Sequence, residues 1–299
     1  MTDQPPKHAD LIYDIGLHKG EDSEFYLRKG FRVVAFEANP DLVAHCKNRL
    51  ATYIADGRFT IVEGAILPPE EIAAGRTDVT FYKNEDNSVW GTVHVNWAER
   101  NTQYGTRYTP VTVPVVNFAT VLREHGVPHY MKIDIEGCDM VCLDALKAVS
   151  HRPDYLSIES DKTSMANVTA EIDTLIALGY DQFKAIDQSV INLSQKSPNP
   201  PAEGQYAEWR FEHGSSGLFG AELPGNWKDR KAILSQYKVI MLGYRLMGDD
   251  GFMRKWKFKG AWRLQHMVRN IFCPLKDDDW PWWYDTHARL AGAAPRTAK

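Results

Sequence analysis

Apolar positions along the chain fall into short unbroken runs separated by amphipathic stretches, a rhythm that predicts strands alternating with helices. "LIYDIG" (residues 11–16) is a compact apolar run closing on an acid and a glycine, the pattern of a buried strand. "EDSEFYLRKG" has acids in its first turn and Gly30 as a stop, the marks of a helix. "FRVVAFEA" is the next buried strand, and Pro40 opens the helix "DLVAHCKNRLATYI". Strand, helix, strand, helix makes a βαβ unit, so the fold class is α/β with a mostly parallel sheet covered on both faces.

The alternation continues with "FTIVEGAI" as strand three and "DVTFYKN" as an extra strand. "VPVVNFATVLREHG" is a short strand passing into a helix that Gly126 stops. "YMKIDIEG" is strand four, "DMVCLDALKAVS" a helix and "YLSIES" strand five. "SMANVTAEIDTLIALG" is an amphipathic helix and "YDQFKAID" strand six. The proline-rich connection "QSVINLSQKSPNPPAEG" leads to "YAEWRFEH", read as the last strand. Residues 1–10 read as a polar tail. From residue 214 the pattern changes: "GSSGLFGAELPGNW" is a glycine-rich loop and "KDRKAILSQYKVIMLGYRLMG" a helix. Most of the tryptophans follow, so residues 214–299 are expected to form an aromatic-rich packed extension, with a substrate cap as the functional alternative. In "WYDTHARL", Asp285 and His287 stand among aromatics; a packed tail with a hydrogen-bonded His is expected, substrate contact being the second reading.

Composition narrows the function classes. The 299 residues are 43% hydrophobic and 25% charged, enough for an ordinary core without disulfides or structural metal. A net charge of -4 gives no reason to expect nucleic acid as a partner. "MTDQPPKHAD" has no apolar leader and no run approaches the ~18 residues of a membrane span, so a cytoplasmic protein with no membrane partner is expected. Cys46, Cys138, Cys142 and Cys273 complete no zinc pattern and read as free thiols.

The candidate chemistry starts at the first turn. Dinucleotide folds carry G-x-G-x-x-G there; this chain has Asp14, Gly16 and Gly20 in the order D-x-G-x-x-x-G. Without the third glycine there is less provision for a pyrophosphate, and an acid beside the turn favours a cationic ligand end. Glu37 closes strand two, where an acid in such folds accepts hydrogen bonds from ribose hydroxyls. An ammonium, a sulfonium and a ribose occur together in S-adenosylmethionine (SAM).

"YDIGLHKGEDSEFYLRKGFRVVAFEANP", "MKIDIEGCDMVCLDAL" and "YLSIES" together resemble the FkbM-type family of class I SAM-dependent methyltransferases, over roughly residues 11–187. The likeness is strongest at Lys132-Ile133-Asp134-Ile135-Glu136-Gly137 and at Glu37-Ala38-Asn39-Pro40; Leu17, His18 and Ala38 depart from the family's Ala, Asn and Pro. The resemblance implies a Rossmann-like sheet of seven strands within a SAM-binding domain at residues 11–213. It implies that Asp14, Gly16 and Gly20 line the methionine part of SAM, that Glu37 holds the ribose, that the backbone around Ala65 and Ile66 lies near adenine, and that His18, Ala38, Asn39 and Asp134 also belong to the cofactor site. It further implies methylation of a hydroxyl group on a small molecule or glycan.

An alcohol is a poor nucleophile, so a base should take its proton as the new bond forms. Asp134 ranks first as base or orienting group, because it ends strand four on the cofactor side. Glu136 and Glu159 follow, then His18, whose ordinary pKa lies near neutrality. Asp134, Glu136, Glu159 and Asp161 are also the set that could hold magnesium, although the pattern gives no clear metal motif and no metal is expected. The rival readings are a nicotinamide-dependent oxidoreductase and a SAM- or nucleoside-binding module without catalysis.

Overall fold

The computed structural model describes residues 4–135, 137–161, 164–212, 214–247, 251–255, 262–264, 267 and 283–296. The chain opens with β1 (Lys7–Ile15), α1 (Glu21–Arg28), β2 (Arg32–Glu37), α2 (Pro40–Arg49), α3 (Ala51–Ala55) and β3 (Phe59–Glu63). An inserted layer follows: β4 (Ala65–Ile66), α4 (Pro69–Ala73), β5 (Asp78–Asn84), α5 (Val95–Gln103) and β6 (Tyr108–Val116). The second half runs α6 (Phe118–His125), β7 (Val127–Ile133), α7 (Asp139–Leu146), β8 (Tyr155–Glu159), α8 (Met165–Ala177) and β9 (Tyr180–Asp187). It ends with α9 (Ile191–Ser194), α10 (Arg230–Met247) and β10 (Tyr284–Leu290).

Seven strands make the main sheet in the order β3-β2-β1-β7-β8-β10-β9, parallel except for β10, which is antiparallel to both neighbours. The chain winds outward from β1 to β3, then restarts at β7 on β1's other side. That reversal puts a topological switch point between β1 and β7, where a crevice opens outside the carboxyl ends of the strands. β7 is buried along its whole length, as a central strand covered on both faces must be. One face packs Tyr13, Ile15, Met131, Ile133 and Leu156 against α6, α7, α8 and α10. The other carries an aromatic cluster in which Phe25, Tyr26, Phe31 and Tyr130 surround Phe219.

Several expectations are corrected. The last strand of the sheet is β10, not "YAEWRFEH". Residues 206–212 are coil, with Phe211 edge-on to Phe25 at 5.0 Å and Trp209 tilted against the same ring. Their alternating aromatics cover α1 instead of joining a ladder, because the slot between β8 and β9 belongs to β10. The sheet therefore does not end at residue 213 but draws its seventh strand from the extension. Lys7–Asp10, expected in the polar tail, belong to β1, with Lys7 opposite Val127. The helix after Pro40 breaks at Leu50, and "FTIVEGAI" bends at Gly64, where a Cβ would lie 2.3 Å from the Pro114 carbonyl oxygen. The loop and helix expected after residue 214 are present, the helix as α10. The cap expectation falls partly on residues 248–250, 256–261, 265–266 and 268–282, outside the described residues.

Candidate active site

The crevice at the switch point is a cleft of about 770 Å³ including its open mouth. Its floor comes from four strand ends: Gly16 and His18 after β1, Glu37 and Ala38 after β2, Ala65 and Ile66 after β3, and Asp134 and Ile135 after β7.

The first turn is built by close approach. Gly16 has φ 95°, and a Cβ there would come 2.0 Å from the Asp134 carbonyl oxygen, so only glycine lets the two strand ends meet. His18 has φ 52° and is the only non-glycine residue in the left-handed region among the described residues. His, like Asn, is enriched in that conformation, so the departure from the family's Asn keeps the turn. Its backbone N–H donates to Glu37 Oε2 at 2.9 Å. Its Nδ1 lies 3.2 Å from Glu21 Oε1 and its Nε2 2.8 Å from Ser88 Oγ. Burial alone would raise the Glu21 pKa, but the His18 contact and a backbone N–H hold it below the usual carboxylate range. A carboxylate only accepts, so Nδ1 is the donor to Glu21.

Glu37 is held from two sides, since Oε1 also accepts from the Asn39 N–H at 2.8 Å. Each oxygen keeps a lone pair for a further donor. Burial pushes this carboxyl up to about 7, against the pull of those two N–H groups.

Some expected residues serve the frame instead of the wall. Asp14 is fully buried: Oδ2 accepts from Ser23 Oγ at 2.7 Å and Oδ1 from Lys132 Nζ at 3.2 Å, so it faces a lysine of this chain and not the cleft. Gly20, φ 80°, starts α1, and the Asn39 side chain caps α2 by accepting from the Asp41 N–H. Lys132 also donates to the Gly16 carbonyl at 3.1 Å, with Asp22 and Asp134 at 3.7 and 3.9 Å. Burial would lower its pKa, but Asp14, Asp134 and Asp22 outweigh that and keep the ammonium charged. Asp134 has its side chain 45% exposed on the cleft floor, and its backbone is fixed by an N–H bond to the Ile15 carbonyl. Glu159 ends β8 and is half-buried; Glu136 lies outside the described residues.

Sequence reasoning missed the roof. β4, β6 and β5 form a separate small sheet, and the segment from Ser88 to Val93 folds back over the cleft with Phe81. Tyr82 and Thr92 exchange backbone hydrogen bonds, and Gly91 lies so close to Phe81 that a Cβ would meet its ring at 2.4 Å. Ser88 fastens one end of the roof to His18; at the other, His94 Nε2 lies 3.8 Å from Cys138 Sγ. The available signals were the turn-forming run "NEDNS" and Gly91. Cys46, Cys138 and Cys142 are buried free thiols, while Cys273 lies outside the described residues. Among the described residues no group of three or more His, Cys, Asp or Glu could hold a metal ion.

A methyltransferase FkbM domain model matches residues 14–189, more than half of the chain and all four strand ends of the floor. The chain belongs to the FkbM methyltransferase family. No curated protein matches it in sequence. Among solved structures, this FkbM-domain chain is similar to a SAM-dependent methyltransferase from Archaeoglobus fulgidus, at 11% identity and a TM-score of 0.35, covering 95% of this chain and 87% of that one. A SAM-dependent methyltransferase from Geobacter sulfurreducens in complex with S-adenosyl-L-homocysteine matches at 11% identity and a TM-score of 0.32, covering 98% and 86%. The C-terminal domain of precorrin-6Y C5,15-methyltransferase from Rhodobacter capsulatus matches at 16% and 0.34, covering 64% and 72%. These likenesses are weak, and the family assignment rests on the sequence match. No helix among the described residues is long and apolar enough to cross a membrane.

Proposed function

We propose that this protein transfers a methyl group from SAM to a hydroxyl oxygen of a small molecule or glycan. The observation that carries the reading is Glu37, a carboxylate fixed by two backbone N–H groups at the end of β2, in one cleft with Asp134 at the end of β7.

The residues present fit the cofactor. Gly16 keeps the turn free of a Cβ, and the remaining lone pairs of Glu37 suit a ribose diol. Ala38, Ala65 and Ile66 offer an apolar wall for an adenine ring, with Phe81 and Val93 above. Bound SAM supplies an electrophilic methyl carbon whose leaving group is a neutral thioether. What remains for the chain's own residues is to hold the acceptor hydroxyl in line and to receive its proton. Asp134 suits that role, being the exposed carboxylate of the floor, and Lys132 behind it stabilises negative charge there. Glu159 is the second candidate. His18 is better suited to fixing the roof and the turn, because both ring nitrogens are engaged.

The test is incubation of the protein and isotope-labelled SAM with fractionated metabolite extracts, read by mass spectrometry. A labelled methyl ether, formed equally in the presence of EDTA, is expected. Label on nitrogen or carbon would overturn the hydroxyl assignment, and magnesium-dependent turnover would favour the Asp134, Glu159 and Asp161 side as a metal site.

A further inference from the structure

Beside the cleft, β10 brings a row of polar side chains into the sheet that the residues around them do not fully satisfy. Asp285 is 4% exposed, a carboxyl carried into the sheet opposite Glu159. Gln188 is 3% exposed, and neither its Nε2 nor its Oε1 has a partner among them. His287 is buried, and its Nε2 is likewise unpartnered. A buried polar group left without a partner loses its hydration with nothing in return, so the Gln188 amide and the His287 nitrogen together point to something that fills them.

Register places the row. Lys132, Ser157, His287 and Lys184 lie side by side across β7, β8, β10 and β9. One step nearer the carboxyl edge, Asp285 pairs with Glu159, and continuing the β7–β8 register puts Asp134 beside Glu159. Side chains two apart on a strand share a face, so Asp285 shares the face of Lys132 and Asp134. The charges that reach Asp285 most strongly are those of Asp134 and Lys132. Asp134 and Asp285 stand two strands apart, about 10 Å between backbones. Gln188 extends the row: its N–H donates to the Trp283 carbonyl at 2.9 Å, one step beyond Asp285 toward the open edge.

We propose that Gln188 and Asp285 form the acceptor-recognition subsite, and that it takes an uncharged polyhydroxylated molecule, its reacting hydroxyl lying toward Asp134. This rests on the methyl-transfer reading for the role of Asp134. Gln188 offers both donor and acceptor atoms. Burial, with Asp134 nearby, keeps the Asp285 carboxyl well above the usual range, so it too is a donor and an acceptor. The His287 ring, pushed down to about 3 by burial and by Lys184, stays neutral. A hydroxyl donates and accepts, and so matches such groups; an ammonium only donates and would leave the amide and carboxyl protons unmatched. A carboxylate ligand would meet Asp134 in the same neighbourhood, where the Lys132 ammonium is already engaged by Asp14.

The test uses the full chain and three probe sets: uncharged methyl glycosides, amino sugars and uronic acids. Binding is followed by saturation-transfer NMR with and without S-adenosylhomocysteine, and methylation is followed with labelled SAM. At least one methyl glycoside should bind and be methylated. Gln188→Leu and Asp285→Leu should each raise its Kd or KM roughly tenfold or more, with S-adenosylhomocysteine affinity within about twofold. Asp285→Asn, which keeps donor and acceptor, should stay within about threefold. Gln188→Ala serves if Asp285→Leu fails to fold, as judged by its melting transition. The proposal is overturned if no methyl glycoside binds, if only amino sugars or uronic acids bind, or if the leucine variants bind as wild type does, which would mean trapped water fills the row. Glycoside binding is read without cofactor, so a failure of SAM to bind would strike the methyl-transfer reading separately.

Discussion

Where β7 begins, His129 lies between two acids, with Nδ1 2.8 Å from Asp154 and Nε2 3.0 Å from Glu203. Glu203 also accepts the N–H groups of Ala221 and Arg296, and nearby Lys29 is bonded to Glu222, whose Oε1 accepts two further N–H groups. Where β7 ends, one lysine faces Asp14, Asp22 and Asp134 within 4 Å, and the Gln188 amide beyond Asp285 goes without a partner among the described residues. The two ends bury similar residue types for different purposes. Pairing at the first end makes charge a structural staple, because breaking a buried pair leaves an uncompensated ion. At the second, three acids share one lysine beside an open cleft, which leaves capacity for a ligand, and perturbed ionisation usually marks function in such places.

Mutations at the two ends should therefore have opposite signatures, loss of activity at one and loss of stability at the other. The largest effect is expected at the open end: Asp134→Asn should slow methyl transfer by about 10²- to 10⁴-fold in single-turnover assays, with SAM affinity and stability nearly unchanged. Normal turnover in Asp134→Asn with a dead Glu159→Gln would transfer the base role to Glu159. At the closed end, His129→Leu should cost about 3–5 kcal/mol in urea unfolding, because Glu203 is left buried against an apolar side chain. SAM titration of the folded variant should match wild type; a large loss of affinity would mean that the ends are coupled.

Glu37→Ala should weaken SAM by about 1.5–3 kcal/mol through lost charge-assisted bonds, without changing the melting temperature much. The smallest effect is in pH dependence. The Glu37 carboxyl is raised to about 7, so the ligand-free protein holds a proton there that the unfolded chain has lost, and this group's contribution to stability falls as pH rises toward 7. A ribose diol is better matched by the ionised carboxylate, so SAM affinity should rise as pH increases through that range. At the closed end the sign is fixed by His129, whose pKa the two acids raise against burial. Its stabilisation is complete below about 6.5 and is lost as pH rises through the higher folded value. A pH series of titrations and melts separates the two trends.

Much of the open end could be read from the sequence because its parts are local. Gly16, Glu37 and Asp134 each close an apolar run, and a strand end needs no distant information to be located. The roof was not legible: Ser88 meets His18 only because β5 and β6 pair across an insertion whose apolar pattern is weak. β10 was missed because its polar residues, Asp285, His287 and Arg289, alternate with Thr286, Ala288 and Leu290 as in a solvent-facing strand, although Asp285 and His287 are buried in the sheet. Asp14 was recognised as a site residue for its place in the motif, but its partner is Lys132, and no spacing in the sequence announces a lysine arriving from β7. The closed end was invisible for the same reason, since His129, Asp154 and Glu203 come from three separate segments.

The central claim is that the open end holds SAM. Isothermal titration of the wild-type chain with SAM, S-adenosylhomocysteine and NAD tests it most directly. Micromolar binding of the first two, roughly -7 to -8 kcal/mol, is expected with no heat from NAD. Tight NAD binding with no response to SAM would contradict the account.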